Sequence, residues 1–449
     1  MSHEPQDRVF ERSAVHAQSK NADTTAIRKI QTERLDVLVR HARMHSAIYR
    51  EKYAGLPENP ALESLPPSSK PELMARFDEW VTDPAVTLID LQQYVKDESN
   101  IGRPFLGKYL VATTSGSTGV PAVFLNYKSS LNVLDALAVT RSMAYKGVMG
   151  KLVKAGGKSA AVYATGGHYL GVASVRYKQH KNPLKAKQFT VLSVLWPVER
   201  IVEQLNAFRP ALLGGYPTAL ELLIPEKQAG RLTIAPVLIN TGGEYLSPEL
   251  ARRLSEAFGC PVQSGYSCTE GGLMAFQCSE GHLHVNDDWV LLEQVDAAGN
   301  PVPPGTLADK IYITNLASFA QPVIRYEVTD RVRALTEPCA CGSPLTAIEV
   351  EGRTDDMLEF ANGVCIPPLS VYVVLKETPG VVRFQVIQRS DVEVELRLIT
   401  APGNDDAARE AVSRLSAFFR EKGVDPAVML SAQAPSRNAS GKFRHVMRA

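Results

Sequence analysis

The sequence predicts an α/β protein with a large N-terminal domain of mixed and parallel sheets and a small α+β C-terminal domain. Between residues 107 and 330, short apolar runs alternate with helical patterns, which is typical of largely parallel sheets. After residue 353, two alternating strand patterns, VVRFQVIQRS and VEVELRLIT, precede one amphipathic helical segment. We therefore expect domains over residues 1–352 and 353–449.

Composition is that of an ordinary globular enzyme. The 449 residues are 45% hydrophobic and 22% charged, and the formal net charge is +1. Such a balance gives no electrostatic reason to bind nucleic acid or an anionic membrane. The start, MSHEPQDRVFERS, is too polar for a secretory signal, and no apolar run approaches the roughly 20 residues that cross a bilayer. We expect a soluble cytoplasmic protein whose six cysteines form no disulfide scaffold.

The first elements are amphipathic helices. Apolar residues recur at helical spacing between residues 24 and 50, at Ile27, Ile30, Leu35, Leu38, Val39 and Ala42. Residues 65–81 then predict a turn, an N-cap at Ser69 and a second helix with Pro71 in its first turn.

The central segment supplies the expected sheet. Its strand patterns are KYLVATTS, SAAVYATGG, FTVLSVLW, ALLGGY, PVLINTGG and CPVQSGYS. The helical patterns between them are SSLNVLDALAVTRSMAYKGV, VERIVEQLNAFRP, PTALELLIPEKQ and SPELARRLSEAFG. From about residue 284 the pattern turns to β. Ligands of such folds bind in the loops that follow the strands.

A glycine- and serine-rich stretch, TTSGSTGVP over residues 113–121, follows the first of these strands. It combines backbone freedom with many hydroxyl and N–H donors, which are the groups that bind phosphate oxygens. A plain surface loop would have the same composition.

Further polar signals follow later strands. NTGGEYL ends one strand with two glycines and an acid, and GYSCTEGG ends the next with Thr269 and Glu270. Asp330 stands in a β setting, EGRTDDM opens the tail, and Lys442 lies in PSRNASGKFRHV. Each has an ordinary explanation as well: an acid at a helix N-terminus, a turn residue, a solvated loop or a solvated tail lysine.

The order of these motifs resembles that of the adenylate-forming superfamily, and most closely its phenylacetate–CoA ligase-like branch. The resemblance begins at LVRHARMHSAIYREKY and LESLPPSSKPEL and runs to Lys442. It implies an AMP-forming ligase that uses ATP and Mg²⁺ to convert a small or aromatic carboxylic acid into an acyl adenylate, releasing pyrophosphate. It also implies transfer of the acyl group to a thiol such as CoA, and a mobile C-terminal lid.

The resemblance gives each motif residue a role. The expected phosphate loop comprises Thr114, Ser115, Gly116, Ser117, Thr118 and Gly119. Gly243 and Glu244 would flank the adenine, with Tyr266 stacked nearby. Thr269 would contact the α-phosphate, Glu270 would hold Mg²⁺, and Asp330 would bind the ribose with Arg353 close by. Asp355 would be the hinge, and Lys442 would contact both carboxylate and α-phosphate.

Two positions depart from the superfamily pattern. Ala122 follows the loop proline where many members have lysine, although the phenylacetate branch often lacks that lysine too. The stretch LEFANGVCIPP after the expected hinge contains Cys365 and a double proline, which leaves the geometry of the second step open.

A second constellation suggests a metal. FQCSEGHLHV contains Cys278, His282 and His284, and PCACGS contains Cys339 and Cys341. Two thiols plus a cysteine–histidine pair make a complete tetrahedral set for a structural zinc. The resemblance to the phenylacetate branch favours His284 over His282, and we predict Cys278, His284, Cys339 and Cys341 as ligands; which histidine binds is left open. The alternative is a reduced thiol pair in a turn, with the histidines exposed on a strand.

The acid pocket is expected at the strand ends in VYATGGHYLGV and LLGGYPTA, lined by His168, Tyr169, Gly215 and Tyr216. The alternative is that these residues only pack the sheet edge. A carrier protein or an amine could replace CoA as acceptor, and a homodimer is left open. An inactive, zinc-stabilised nucleotide-binding protein is the alternative of another class.

Overall fold

The computed structural model describes residues 23–114, 122–141, 145, 147–404, 406–438 and 441–449. Its helices are α1 (Thr24–His45), α2 (Ala47–Lys52), α3 (Lys70–Ala75), α4 (Phe77–Trp80), α5 (Leu88–Val95), α6 (Lys128–Thr140), α7 (Val148–Lys154), α8 (Leu170–Lys181), α9 (Val198–Phe208), α10 (Pro217–Glu221), α11 (Leu223–Gln228), α12 (Pro248–Phe258), α13 (Pro368–Lys376) and α14 (Ala407–Glu421). Within the described ranges, none of these helices is long and apolar enough to cross a membrane.

The strands before residue 300 are β1 (Pro104–Phe105), β2 (Tyr109–Thr113), β3 (Val123–Asn126), β4 (Ser159–Tyr163), β5 (Phe189–Ser193), β6 (Leu212–Gly215), β7 (Leu238–Gly242), β8 (Val262–Cys268), β9 (Gly272–Gln277), β10 (Leu283–Val285) and β11 (Val290–Val295). Those that follow are β12 (Lys310–Asn315), β13 (Tyr326–Val328), β14 (Asp330–Ala334), β15 (Ala347–Arg353), β16 (Leu358–Glu359), β17 (Cys365–Ile366), β18 (Val381–Gln388), β19 (Glu393–Thr400), β20 (Ala427–Leu430) and β21 (Val446–Arg448).

The chain forms two compact units. The first contains the chain up to Glu293 together with Tyr312–Glu327 and Leu335–Ile348. The second contains Gln294–Ile311, Val328–Ala334 and Glu349–Ala449. The expected tail domain thus belongs to the second unit with two earlier stretches, and the domain boundary at residues 352 and 353 stays a prediction.

The N-terminal helices of the first unit form within the two segments that the sequence predicts, but each segment is divided into two helices. The side chain of Asp23 caps α1, whose buried face includes Leu35, Leu38 and Val39. Ser69 and Glu72 form a reciprocal capping box at the start of α3, which satisfies two backbone donors that the helix leaves unpaired. The predicted helix over residues 65–81 is interrupted at Arg76, where the backbone leaves helical geometry.

The main sheet of the first unit has the strand order β15-β10-β9-β8-β7-β6-β4-β5. Strands β5, β4, β6, β7 and β8 run parallel to their neighbours, and β9, β10 and β15 continue the sheet antiparallel. This confirms the predicted α/β class with mixed and parallel sheets. Its core is built from apolar side chains of these strands and of α9 to α12, including Val162, Leu213, Leu220, Ile239 and Leu254.

Two helical segments differ from their prediction. The helix expected over PTALELLIPEKQ is divided at Leu222 into α10 and α11, because the ring of Pro225 cannot accommodate the carbonyl four residues earlier. Helix α8 was not predicted. Only Val172, Ala173 and Ser174 of its sequence, LGVASVRYKQHK, are buried, so the sequence shows little of the apolar periodicity that predicts a helix.

The tail within the second unit is a small α+β structure. Its sheet has the strand order β20-β19-β18-β21. Phe384 and Val386 of β18 pack with Leu415 and Phe419 of α14 on one face. Helix α13 was not predicted because Pro367 and Pro368 read as a break, whereas they serve as its N-cap and first residue.

Candidate active site and metal centre

Predicted site residues follow four neighbouring parallel strands of the first unit. Strands β4, β6, β7 and β8 lie side by side, with Val162 opposite Gly215, Gly215 opposite Thr241, and Gly242 opposite Gly265. Their carboxyl ends therefore share one edge of the sheet. His168 and Tyr169 follow β4, Tyr216 follows β6, Glu244 follows β7, and Glu270 follows β8. Crevices at this edge are where open α/β sheets bind ligands.

The base of the expected phosphate loop is closed by two hydrogen bonds. The N–H of Thr114 donates to the carbonyl of Ala122, and the N–H of Ala122 donates to the Thr114 hydroxyl, both at 2.9 Å. Thr113 N–H donates to the carbonyl of His168 at 2.8 Å, so the loop base adjoins the segment after β4. Ser115, Gly116, Ser117, Thr118 and Gly119 lie outside the described residues, and their phosphate role stays a prediction.

His168 is a buried, uncharged ring. It is 2% exposed and lies 5.7 Å from the ring of Tyr94, centroid to centroid. Burial lowers the pKa of its imidazole, because the charged form loses hydration. A buried neutral imidazole beside an aromatic ring can form the wall of an acid pocket, and it can equally be a core residue.

Aromatic side chains after β4 and β6 pack together. The rings of Tyr163 and Tyr216 meet edge to face at 4.8 Å, and Tyr169 packs against the same core. Burial, and then the nearby Glu244 carboxylate, raise the pKa of Tyr163 to about 12. A side chain at Gly215 would approach Leu220 to 2.9 Å, so close packing alone already requires glycine there.

Glu244 has a local structural partner. Its Oε2 accepts hydrogen bonds from the N–H of Thr218 at 3.1 Å and from the Thr218 hydroxyl at 2.7 Å. The carboxylate therefore joins the ends of β7 and β6. The preceding Gly243 adopts φ +81°, a left-handed conformation that favours glycine. Contact of this pair with an adenine stays a prediction.

Glu270 stands in the turn between β8 and β9 and is held on both sides. Its backbone carbonyl accepts from Asn315 Nδ2 at 3.1 Å. Its carboxylate lies near enough to Tyr326, a residue that is 2% exposed, for its charge to act on the tyrosine hydroxyl. Burial, followed by the Glu270 charge, raises the pKa of Tyr326, so its hydroxyl remains a donor. Tyr266 and Thr269, on the same turn and strand end, are half-buried.

Asp330 and Arg353 belong to the second unit and lie near each other. Arg353 Nε is 3.8 Å from Asp330 Oδ1, and its Nη2 donates to the Thr329 hydroxyl at 2.9 Å. Asp355 lies in the short 3₁₀ turn Thr354–Asp356 that follows. Convergence of these residues with Glu270, and the hinge role of Asp355, stay predictions.

Lys442, also in the second unit, stands in a turn with internal hydrogen bonds. Lys442 N–H donates to Asn438 Oδ1, and Asn438 N–H donates to the Lys442 carbonyl, both at 3.0 Å. Gly441 adopts φ +70°, which suits a glycine. Two residues on, Arg444 forms an ion pair with Asp356 at 2.7 Å. This arrangement fixes the backbone of Lys442 against the segment that follows β15.

The predicted metal ligands come together. The sulfurs of Cys278, Cys339 and Cys341 and the ring nitrogen of His284 all lie within 4.8 Å of one another. Cys278 Sγ is 3.7 Å from Cys339 Sγ, and Cys341 Sγ is 3.3 Å from His284 Nε2. All four belong to the first unit.

Two tight turns bring together metal ligands that are only a few residues apart in the sequence. Gly281 and Gly342, both with positive φ, follow Cys278 and Cys341 and donate their N–H groups to the carbonyls of Cys278 and Cys339. His284 is fully buried, and its Nδ1 pairs with the Leu345 carbonyl at 3.0 Å. That bond places the hydrogen on Nδ1 and leaves the Nε2 lone pair facing the thiols, as a metal-binding histidine requires. The donor set therefore fits tetrahedral zinc.

Sequence reasoning missed the residues that support these groups. Asn315, Tyr326 and Gln385 lie beside the predicted residues or their turns, yet they are 45 to 59 positions away from them in the chain. They carry no local motif, and only the fold brings them near.

Comparisons with known proteins agree with this geometry. The AMP-binding enzyme family matches residues 24–309. A phenylacetate-coenzyme A ligase from Thermus thermophilus is 28% identical over 326 residues, covering 70% of this chain and 68% of that protein. The enzyme of the same name from Pseudomonas putida is 22% identical over 457 residues, covering 95% of each. A crystal structure of 2-hydroxyisobutyryl-CoA ligase superposes with TM-score 0.72 at 18% identity, covering 100% of this chain and 94% of that one.

The family match and the relatives define an AMP-forming ligase of the adenylate-forming superfamily. The family match covers well over half of the sequence, and the chain belongs to the AMP-binding enzyme family. Its phenylacetate-coenzyme A ligase relatives confirm the expected branch. The likeness to solved structures shows the fold alone.

Proposed function

We propose that this enzyme activates a small or aromatic carboxylic acid with ATP and transfers the acyl group to CoA. The observation that carries the proposal is the shared edge of β4, β6, β7 and β8, which tyrosines, His168 and the acid Glu270 follow. His168 also accepts a hydrogen bond from Thr113 at the loop base. An acid bound among these rings would lie beside the loop that we expect to bind phosphate. The relatives named for phenylacetate support an aromatic acid.

The reaction has two steps. A carboxylate oxygen attacks the α-phosphorus of ATP, the bond to the pyrophosphate oxygen breaks, and an acyl adenylate forms. The CoA sulfur then attacks the acyl carbon, the bond from that carbon to the AMP oxygen breaks, and the thiol proton is released. No oxidant or reductant is needed.

Charge repulsion is the main barrier to the first step, because an anionic carboxylate must approach an anionic phosphate. Lys442 supplies a compact positive charge on a long stem, which can contact both groups. One pair of unit charges 4 Å apart is worth roughly 4 kcal/mol at an effective dielectric near 20. A fraction of this, expressed only in the transition state, changes the rate by about 10²-fold or more.

The remaining residues bind and orient. Thr269 donates to the α-phosphate, the 114–119 loop donates to the outer phosphates, and Asp330 accepts from the ribose hydroxyls. Glu270 would hold Mg²⁺, which neutralises phosphate charge when bound, and the nearby Tyr326 hydroxyl would orient its carboxylate. Tyr216 and His168 exclude water from the acid.

We also propose that Cys278, His284, Cys339 and Cys341 hold one structural zinc. With four protein donors, no position remains for a reactive water, so the role is structural. The ion would join the turn between β9 and β10 to the segment before β15. In the same region, Ile27 of α1 packs on Phe276 and Leu345. None of the six cysteines forms a disulfide. We propose a cytoplasmic setting, where ATP and CoA are supplied.

The test is pyrophosphate release from ATP with a panel of aryl and aliphatic acids. We expect release only with an acid, and strongest with a small aromatic one. Mass spectrometry of the product with and without CoA identifies the acceptor: an acyl-CoA supports the proposal. An adenylate that is stable with CoA but consumed by a carrier protein or an amine contradicts the CoA step. If no acid supports release by the folded protein, the ligase assignment is wrong and a binding protein remains.

A further inference from the structure

The turn that carries Lys442 lies against the face of the tail sheet that is opposite α14. Phe384 and Val386 of β18 point toward α14, so Gln385 between them points to the other face. There its amide group meets the turn. The contact joins the middle of a strand to a segment about 50 residues later in the chain.

One side chain binds both ends of this turn. Gln385 Nε2 donates to the carbonyl of Ser436 at 3.2 Å and to the carbonyl of Arg444 at 3.1 Å. Its Oε1 accepts from Ser436 N–H at 3.3 Å. The amide therefore joins the residue six positions before Lys442 to the residue two positions after it, and closes the turn at its base.

The burial of Gln385 makes these hydrogen bonds important for the turn. Gln385 is 4% exposed, so water cannot replace it as a partner for the two carbonyls. A loop closed at its base samples far fewer arrangements than an open one. Because the lysine must meet two reacting groups at once, a displacement of its backbone by about 1 Å can cost 10²-fold in rate.

The same strand contains a matched comparison. Gln388 is 5% exposed, and its amide makes two backbone hydrogen bonds where that of Gln385 makes three: it donates to the Glu359 carbonyl at 2.6 Å and accepts from Glu359 N–H at 3.0 Å. These bonds go to β16, not to the lysine turn. The two glutamines thus share chemistry, burial and strand, and differ in the segment that they hold.

We propose that Gln385 is a positioning residue for adenylation, which acts by holding the turn of Lys442. The inference rests on the proposed role of Lys442 in the first step. It assigns no contact between Gln385 and the substrates, so the effect of the amide passes entirely through the turn.

The experiment compares Gln385→Met with Gln388→Met, each of which keeps side-chain length and removes the hydrogen bonds. Two half-reactions are measured: pyrophosphate release from ATP and acid, and thioester formation from synthetic acyl adenylate and CoA. We expect Gln385→Met to lower pyrophosphate release by about 10–100-fold and to leave thioester formation within about twofold. Gln388→Met should leave pyrophosphate release within about twofold.

A double variant separates positioning from general damage. In the Lys442→Ala background, Gln385→Met should cause no further loss of pyrophosphate release, because the group that it positions is already gone. Equal loss in both half-reactions, additive loss in the double variant, or full pyrophosphate release by Gln385→Met would each overturn the inference.

Failure of the inference can be told apart from failure of the proposed function. If Lys442→Ala loses pyrophosphate release but Gln385→Met does not, only the positioning role is wrong. If Lys442→Ala keeps full release, the role of that lysine is wrong and the inference falls with it. Should Gln385→Met fail to fold, Gln385→Asn replaces it: an amide remains, but it is one methylene too short to reach both ends. The same two half-reactions and thresholds then decide.

Discussion

The two charged groups that the proposed chemistry needs are held in different ways. Glu270 stands at the end of a strand within an extended sheet, where Asn315 fixes its backbone and the buried Tyr326 lies near its carboxylate. Lys442 stands in a turn of the smaller unit, fixed by hydrogen bonds with Asn438 and, at the base of the turn, by Gln385. One group depends on a sheet and the other on a few side-chain amides.

This difference indicates where variation is tolerated. A residue at a strand end keeps its place as long as the sheet is intact, since the neighbouring strands restrict it. A residue in a turn keeps its place only while its specific partners remain. We therefore expect the turn of Lys442 to be sensitive to single changes away from the lysine, and the turn of Glu270 to be sensitive mainly to its immediate partners.

The largest effect is expected at the lysine itself. Lys442→Ala should lower acid-dependent pyrophosphate release by about 10²–10³-fold, because the positive charge acts in the transition state. ATP binding, measured by calorimetry, should be largely retained. The control is Lys422→Ala, which removes an exposed lysine of the same unit. Equal activity of the two variants would show that the charge of Lys442 plays no part.

The second largest effect is expected at Glu270, the acid of the first unit. Glu270→Gln should lower pyrophosphate release by about 10²-fold and raise the Mg²⁺ concentration needed for half-maximal rate, because an amide binds the ion less well than a carboxylate. Titration of Mg²⁺ at fixed ATP measures both effects. Glu256→Gln, an exposed glutamate on α12, is the control. An unchanged Mg²⁺ requirement would contradict the assigned role of Glu270.

Removal of the metal centre tests the rigidity of the first unit. Cys341→Ser should reduce bound zinc from about one per chain to near zero, and should lower the unfolding midpoint by about 5–10 °C, since the two turns lose their shared ligand. Metal analysis and thermal unfolding measure these changes. Cys365→Ser removes an exposed thiol elsewhere and should change neither. A wild-type protein prepared without chelators that holds no zinc would exclude the centre.

The smallest effect is expected at Tyr326, which lies near the Glu270 carboxylate. Tyr326→Phe removes the hydroxyl beside the carboxylate, whose hydrogen bond in the loaded site would be worth about 1 kcal/mol, and should reduce pyrophosphate release by about fivefold. Tyr49→Phe removes a comparable buried hydroxyl, which donates to the Pro322 carbonyl, and should leave the rate unchanged. A loss as large as that of Glu270→Gln would mean that Tyr326 acts directly on the substrates.

Much of this organisation could be predicted from local sequence. Alternation of apolar runs with helical patterns predicted the parallel sheet, and polar residues after strands predicted its functional edge. The four metal donors were predicted because cysteine and histidine have few other reasons to cluster. These signals are all contained within a few consecutive residues.

The rest depends on distant contacts. Tyr326 and Gln385 look like ordinary strand residues until the fold brings Glu270 and the turn of Lys442 to them. Nothing in the sequence around Glu244 indicates that its carboxylate accepts a hydrogen bond from Thr218. Helix α13 was not predicted because Pro367 and Pro368 suit both a loop and a helix start. In each case the deciding contact joins segments that no short motif connects.

Transfer of an isotope tests the central claim most directly. The acid is labelled with ¹⁸O in its carboxylate, and the AMP released during thioester formation is analysed by mass spectrometry. If a carboxylate oxygen attacks the α-phosphorus, each AMP carries one ¹⁸O atom from the acid. Unlabelled AMP, or ADP in its place, would contradict the acyl adenylate and with it the proposed function.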